Sequence, residues 1–343
     1  MEKSKKMFKN LIIFALLIGI TFYMVLKDQD IVNIYNVLTN VKIQYVVIAI
    51  ICMCAYLTLE AVNMGRTLKV LGEKSNLLKN IKYVLIGFFF SAITPAASGG
   101  QPMQIYYMHK DKISVGNSTL ALLINLSSFQ VITLSFAFIS VGFNFSYLTN
   151  GLVWLFVVGV ALNSSALALF LIGIFSKRLS TALIRFAVKV LKFFKIKKVE
   201  EKQEKMEAEL RNYQASAKYI KDNKFLIFRI LMTTLIQIII YYSIPYWIYL
   251  AFNLHDFNIL QVISLQAVLY ATTSGIPLPG AVGVTEGGFM SLFEKVFTSS
   301  IVGSAMLLNR GVSFYLFVLI TGVFVTIISV KTKKEDNKDI SID

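Results

Sequence analysis

The chain has 343 residues, of which 56% are hydrophobic and only 15% charged; its mean hydropathy is +0.66 and its net charge +15. An ordinary soluble domain carries about 25% charged residues, and this much apolar side chain does not fit inside one soluble core. A soluble enzyme, a secreted disulfide scaffold and a disordered tail protein are excluded. The cations lie between apolar blocks, where they orient the chain by the positive-inside rule, and no nucleic-acid recognition motif accompanies them. Cys52 and Cys54 lie two apart in an apolar segment, do not share a helix face and read as small buried hydrophobes.

Lys3, Lys5, Lys6 and Lys9 precede an apolar run at 11–26 with no small-x-small cleavage site after it, which reads as an uncleaved first span with a cytoplasmic N-terminus. A second span is expected at 45–63, followed by a basic loop carrying Arg66, Lys69, Lys74, Lys79 and Lys82. The next apolar run, 83–94, is too short to cross about 30 Å of hydrocarbon. It breaks at a Pro/Gly cluster, resumes briefly at 103–108 and meets Lys110 and Lys112. Cations on both flanks argue for a re-entrant hairpin that returns to the cytoplasm.

Full spans are expected at 118–141 and 152–175. Residues 176–224 hold 14 Lys+Arg against six Asp+Glu and must be cytoplasmic. Within them, 181–199 interleaves Arg185, Lys189, Lys192 and Lys195 with apolar residues, the pattern of a helix lying on an anionic membrane surface; 200–222 reads equally as a solvated connector. A span at 225–252 carries Tyr241, Tyr242, Tyr246, Trp247 and Tyr249, which read as an outer aromatic belt. A second broken segment, 259–297, and a last span, 301–330, follow, and Lys331, Lys333, Lys334 and Lys338 hold the C-terminus inside. Of the 34 Lys+Arg only Lys27, Lys42 and Lys295 fall in outer segments.

The expected fold is therefore an all-α polytopic membrane protein, with about six full transmembrane helices plus two re-entrant broken-helix hairpins. It fills residues 1–330 and leaves a short cytoplasmic tail at 331–343. The unit at 45–141 recurs with opposite orientation at 226–330, and Pro95 pairs with Pro277. Inverted repeats with broken helices are a recurring plan of membrane transporters.

Irregular backbone at membrane depth must be buried in protein or face water. Free N–H groups at two half-helix starts would favour a phosphate or carboxylate. Gly99, Gly100, Gly280 and Gly283 would let backbone approach that ligand, and Gln101 and Gln104 would add neutral hydrogen bonds. The alternative is that the glycines only permit the turns. Arg310 lies about 15 Å into the last span, where a lone charge costs on the order of 3 kcal/mol. Glu286 is its natural partner, as a structural clamp or as part of a headgroup site or gate. Glu60, near the inner end of its span, reads as a cap, a packing residue or a substrate contact. With no G-x-x-x-x-G-K-[ST] and no His/Cys cluster, no ATP-driven pumping, metal or other cofactor is expected.

Thr94-Pro95-Ala96-Ala97-Ser98-Gly99-Gly100-Gln101-Pro102-Met103-Gln104 and Pro279-Gly280-Ala281-Val282-Gly283-Val284-Thr285-Glu286-Gly287-Gly288, together with Arg310, resemble the transmembrane region of lysylphosphatidylglycerol synthase, the multiple peptide resistance factor, and its stand-alone flippase-like relatives. The similarity covers roughly residues 8–330. Gln101 and Pro102 stand where many relatives have Glu and Arg, and Ala281 replaces a frequent Gly. The resemblance implies translocation of phospholipid or aminoacyl-phospholipid headgroups, with Thr285 joining the site, and a link to antibiotic resistance. Alternatives are a lipid-modifying enzyme or subunit, a phosphatidylglycerol lysyltransferase whose lysyl-tRNA-dependent domain another chain supplies, and a membrane scaffold. The implied partners are a membrane phospholipid or glycolipid, a second copy of the chain or a separate synthase, and no nucleic acid. The expected location is the cell membrane, and the Lys, Ile and Asn richness points to a low-GC bacterium.

Overall fold

The computed structural model describes residues 39–144, 150–176, 178, 181 and 199–340. The expected span at 11–26 and nearly all of the expected surface helix at 181–199 lie outside them. Among the described residues every regular element is helical: α1 (Ile43–Val70), α2 (Leu77–Ala92), α3 (Gly100–Lys110), α4 (Val115–Asn144), α5 (Asn150–Phe175), α6 (Val199–Asp222), α7 (Lys224–Tyr242), α8 (Ile244–Ala251), α9 (Ile259–Thr273), α10 (Val284–Arg310) and α11 (Leu316–Ile340). Short 3-10 turns, Pro95–Ala97 and Pro279–Ala281, join α2 to α3 and α9 to α10, and a π-helical turn, Gly311–Tyr315, joins α10 to α11.

Among the described residues five stretches are long and apolar enough to cross a membrane: Ile43–Val70, Val115–Phe143, Gly151–Phe175, Lys224–Ala251 and Pro279–Val330. The last is two elements in one, because Thr298 (φ 62°, ψ 154°) breaks α10 into a limb before it and the start of the final span after it. Large apolar side chains stand exposed along the outside, among them Trp154, Leu169, Phe228 and Leu319. Such a surface is at home only in a lipid-like solvent.

The helix starts follow capping chemistry rather than hydropathy. α2 begins well before the apolar run, because the Asn76 side chain accepts from Lys79 N–H at 2.9 Å and the first turns take in Lys79 and Lys82. α9 begins at a reciprocal cap between Asn258 and Gln261. The expected single span at 225–252 is divided at Ser243, where Pro245 in the first turn of α8 cannot continue the ladder of α7.

Both broken segments are hairpins. Lys82 and Tyr83, early in α2, bond the carboxylate of Asp111, which directly follows α3, so the chain comes back to where it entered. In the second, Phe297 packs on Tyr249 and Phe252 at centroid distances of 5.7 and 6.0 Å, which returns the first limb of α10 to the end from which α9 set out. That end is also where α1 starts: Lys42 N–H bonds Ala251 O at 2.9 Å, and Lys42 Nζ bonds Asn253 Oδ1 at 2.6 Å. α2 sets out from the other end of α1, so the hairpins approach each other from opposite ends of the bundle. Their 3-10 turns touch. The turn that matches Pro95–Ala97 is Pro279–Ala281, so Pro95 registers with Pro279 rather than with Pro277.

The Asp111 cluster gives a pH expectation. Burial alone would push this carboxyl up, but hydrogen bonds from Lys82 and Tyr83 and the charges of Lys82 and Lys79 carry it below the ordinary carboxylate range. A lowered folded-state pKa contributes stability that is fully present above the unfolded value of about 3.9 and is lost as pH falls below it. Thermal unfolding followed from pH 7 downward should show an acid-side loss beginning near pH 4, and Asp111→Asn should lower stability at neutral pH while flattening that acid slope.

α9 is the most enclosed helix of the bundle's middle. Gly159 of α5 lies against its backbone, where an added Cβ would come within 2.1 Å of Ala271 O. Asn163 Nδ2 reaches Gly159 O at 2.8 Å, Ser274 Oγ at 3.1 Å and Ala271 O at 3.4 Å, which helps to satisfy the carbonyls that the end of α9 leaves open. α6 is not a free connector: Ala217 and Ile220 are buried against Leu120, Leu226 and Ile230, and Tyr213 OH donates to Gly173 O at 2.8 Å.

Candidate functional site

A cavity of about 230 Å³ opens where the two 3-10 turns meet. Its polar wall comes from Ser91, Gln266, Thr273, Ser274, Thr285 and Arg310. Rings of Phe88, Tyr241, Tyr270 and Phe314 join Leu269, Ile276 and Leu278 in the rest of the wall, and Ala96, Ala97, Gly280 and Ala281 bring the two turns to its edge.

Arg310 and Glu286 are the electrostatic centre, at 6% and 1% exposure. Arg310 Nε donates to Glu286 Oε1 at 2.7 Å, and an Nη of the same guanidinium donates to Gly280 O at 3.1 Å. Those bonds commit two of its five N–H donors. The guanidinium lies 4.2 Å from the centroid of Phe314 and 5.4 Å from that of Tyr315, which orients it by cation–π contact. Glu286 has two further donors: Tyr315 OH to Oε1 and Gly283 N–H to Oε2, each at 2.7 Å. The expected pairing of these two ions is therefore present, and the pair is tied to both the break and the π-helical turn.

The second half-helix start is already occupied. Glu286, at the third position of α10, is itself the anion that caps its backbone. At the first break Gly99 N–H donates to Thr94 Oγ1 at 2.9 Å. Neither group is a free donor of the kind expected from the sequence.

The remaining candidates divide. Gly280 (φ 60°), Thr285 and Arg310 line the cavity; Gly283 (φ 90°) and Glu286 stand behind it. Gly99, Gly100, Gln101 and Gln104 are not part of its wall. Gly100 lets α3 close on α2: an added Cβ would sit 2.0 Å from Ser91 Oγ and 2.9 Å from Gly87 O. Gln104 is buried over Gly87, between the limbs of the hairpin. Gly99, Gly100 and Gln104 serve the hairpin's own packing.

Sequence reasoning missed the aromatic wall. Tyr241 and Tyr270 line the cavity, while Tyr242 and Tyr249 are fully buried rather than set in an outer belt. Tyr249 OH accepts from Asp256 and Phe257 N–H, which shapes the loop before α9. The available signal for Phe314 and Tyr315 was their spacing from Arg310, one helical turn on. Cys54 is exposed on α1, and only Cys52 is half-buried.

Comparison with known proteins agrees with this architecture. A UPF0104 membrane protein of Archaeoglobus fulgidus is 22% identical over 318 residues, covering 89% of this chain and 92% of the relative. A UPF0104 membrane protein of Methanocaldococcus jannaschii is 24% identical over 322 residues, covering 89% and 91%. The family described as the lysylphosphatidylglycerol synthase TM region matches residues 10–321. The chain is a membrane protein with several spanning helices, and it belongs to the lysylphosphatidylglycerol synthase transmembrane-region family.

Proposed function

We propose that the protein moves the polar headgroup of a membrane lipid through the cavity between the two hairpins, while the acyl chains stay in the bilayer. The observation that carries this reading is a guanidinium in the wall of a polar–aromatic cavity, at the point where two broken segments meet tip to tip. In this topology the hairpins are re-entrant from the two membrane surfaces, the basic loops and both termini are cytoplasmic, and the protein resides in a cell membrane.

The residues supply a specific exchange. A lipid phosphate is a good partner for an arginine fork. When Arg310 turns toward it, Glu286 keeps two donors, Tyr315 OH and Gly283 N–H, and is not stranded. The ring faces of Tyr241, Tyr270 and Phe314 offer a surface for the glycerol and any cationic part of the headgroup.

The test is translocation of fluorescent phospholipids and glycolipids in proteoliposomes, read with a membrane-impermeant quencher. The intact protein should expose lipid from the inner leaflet. Thr285→Trp, which fills the cavity while keeping both members of the ion pair, should slow this by about tenfold or more, equivalent to about 1.4 kcal/mol of barrier. No movement of any lipid by the folded protein sinks the reading. Lysyl transfer from charged tRNA by the purified chain would replace it with the enzymatic one.

A further inference from the structure

One acidic side chain in the spanning region is not used by the ion pair. Glu60 lies on α1, ten residues and so about 15 Å before its end at Val70. It is half-buried, and among the described residues its carboxylate has no hydrogen bond or ion pair; only its backbone oxygen is engaged, by Asn125 Nδ2 at 3.4 Å. Tyr56, one turn earlier on the same face, and Tyr270 of α9 are the titratable groups within reach of its charge. Tyr56 lies 4.7 Å from Tyr241, and Tyr241 lies 6.1 Å from Tyr270; the latter two line the cavity. Glu60 therefore stands one ring behind the cavity wall.

Asn125, whose Nδ2 reaches the Glu60 backbone, has a buried Oδ1 without a partner among the described residues. Among the described residues no cation serves Glu60. α4 has no titratable side chain along its length. On α1 itself, Arg66 lies nearly two turns beyond and bonds Asn63, Thr233 and Arg229 O. α7 otherwise contributes Lys224 at its start, Arg229, and Tyr241 and Tyr242 at the cavity end. On α2, Lys82 and Tyr83 hold Asp111, and Lys79 stands in the first turn. The tyrosines of α8 are at the far end of α1, where Trp247 stacks on Tyr45. Tyr315 of the π-helical turn and Arg310 are both bound to Glu286. Among the described residues no three His, Cys, Asp or Glu side chains gather to hold a metal ion.

A carboxylate so placed is costly, whereas a carboxylic acid carries no charge and offers an O–H donor. We propose that Glu60 takes up a proton from water on one side of the membrane and releases it to the other during each transport cycle, so that a proton gradient drives headgroup movement. The step makes and breaks one O–H bond and involves no redox change. This inference rests on the translocation reading above.

The experiment uses the full chain in phospholipid vesicles with an imposed pH difference, together with infrared difference spectra of the purified protein between acid and neutral pH. The wild type should show a lipid distribution ratio that shifts by about tenfold per pH unit for one proton per lipid. It should also show a protonated-carboxyl band that disappears in Glu60→Gln and moves in Glu60→Asp. Glu60→Gln should lose the gradient response, and Glu60→Asp should keep it. Lipid movement by wild type that ignores the gradient, or a gradient response unchanged in Glu60→Gln, overturns proton coupling and leaves translocation standing. No lipid movement by wild type removes both. A wild-type carboxyl band that survives in Glu60→Gln also overturns the assignment.

Discussion

Arg310→Ala should lower the stability of the purified protein by roughly 3–5 kcal/mol, the usual cost of removing one partner from a buried ion pair. The truncation leaves Glu286 charged at 1% exposure with only Tyr315 OH and Gly283 N–H, and it frees Gly280 O and the face of Phe314. Arg310→Lys should recover only part of the loss, because an ammonium cannot bond Glu286 and Gly280 with a fixed fork or lie flat on Phe314. The double variant Arg310→Met, Glu286→Gln separates clamp from site. Replacing a whole buried pair by neutral groups of similar volume is often close to neutral in stability. It should therefore restore most of the thermal stability in detergent while lipid movement stays lost. Recovery of both together would reduce the pair to a structural clamp.

The second large effect is expected at the tip of the second hairpin. Gly280→Ala places a Cβ 2.3 Å from Phe314 Cζ on a residue whose φ is +60°. The backbone conformation alone costs about 1–2 kcal/mol for an L-residue, and overpacking typically adds about 1–3 kcal/mol. Phe314 cannot yield freely, since it carries the Arg310 guanidinium at 4.2 Å and packs on Phe88 at 6.2 Å. Translocation should fall with stability, because the displaced ring takes Arg310 out of the cavity wall. Phe314→Ala should relieve the steric part, so the double variant should be less destabilised than the sum of the singles by about 1 kcal/mol or more. Simple additivity in thermal unfolding would show that Phe314 does not receive the strain. The matching position in the first hairpin explains the contrast: Ala96 tolerates φ 51° because it is exposed and no ring closes over it.

Most of the architecture was written in local chemistry. Spans show as apolar blocks, and breaks show because proline and glycine clusters cannot continue a helix. The Arg310–Glu286 partnership was legible because an ion in apolar territory needs a counter-charge and few exist. What escaped was phase and tertiary juxtaposition. Gln101 and Gln104 sit next to a break in sequence, yet the wall of the cavity does not include them, and Gln104 turns onto Gly87. Tyr241 and Tyr270 are remote in sequence and adjacent in space. The start of α2 was misplaced because lysines read as loop, although Asn76 had already begun a helix beneath them. Asn163 carried no sequence signal, since its use depends on Gly159 letting two backbones come together.

The π-helical turn at Gly311–Tyr315 has a consequence for how this chain tolerates insertions and deletions. A wider turn accommodates an extra residue inside a continuing helix. One residue corresponds to about 100° of rotation about the axis. Losing a residue there would leave the hydropathy of the last span almost unaltered while rotating α11 relative to Arg310 and taking Tyr315 off Glu286. Length at this one place thus works as a rotary adjustment, and a homologue's gap at 311–315 should be weighed as heavily as a change of charge.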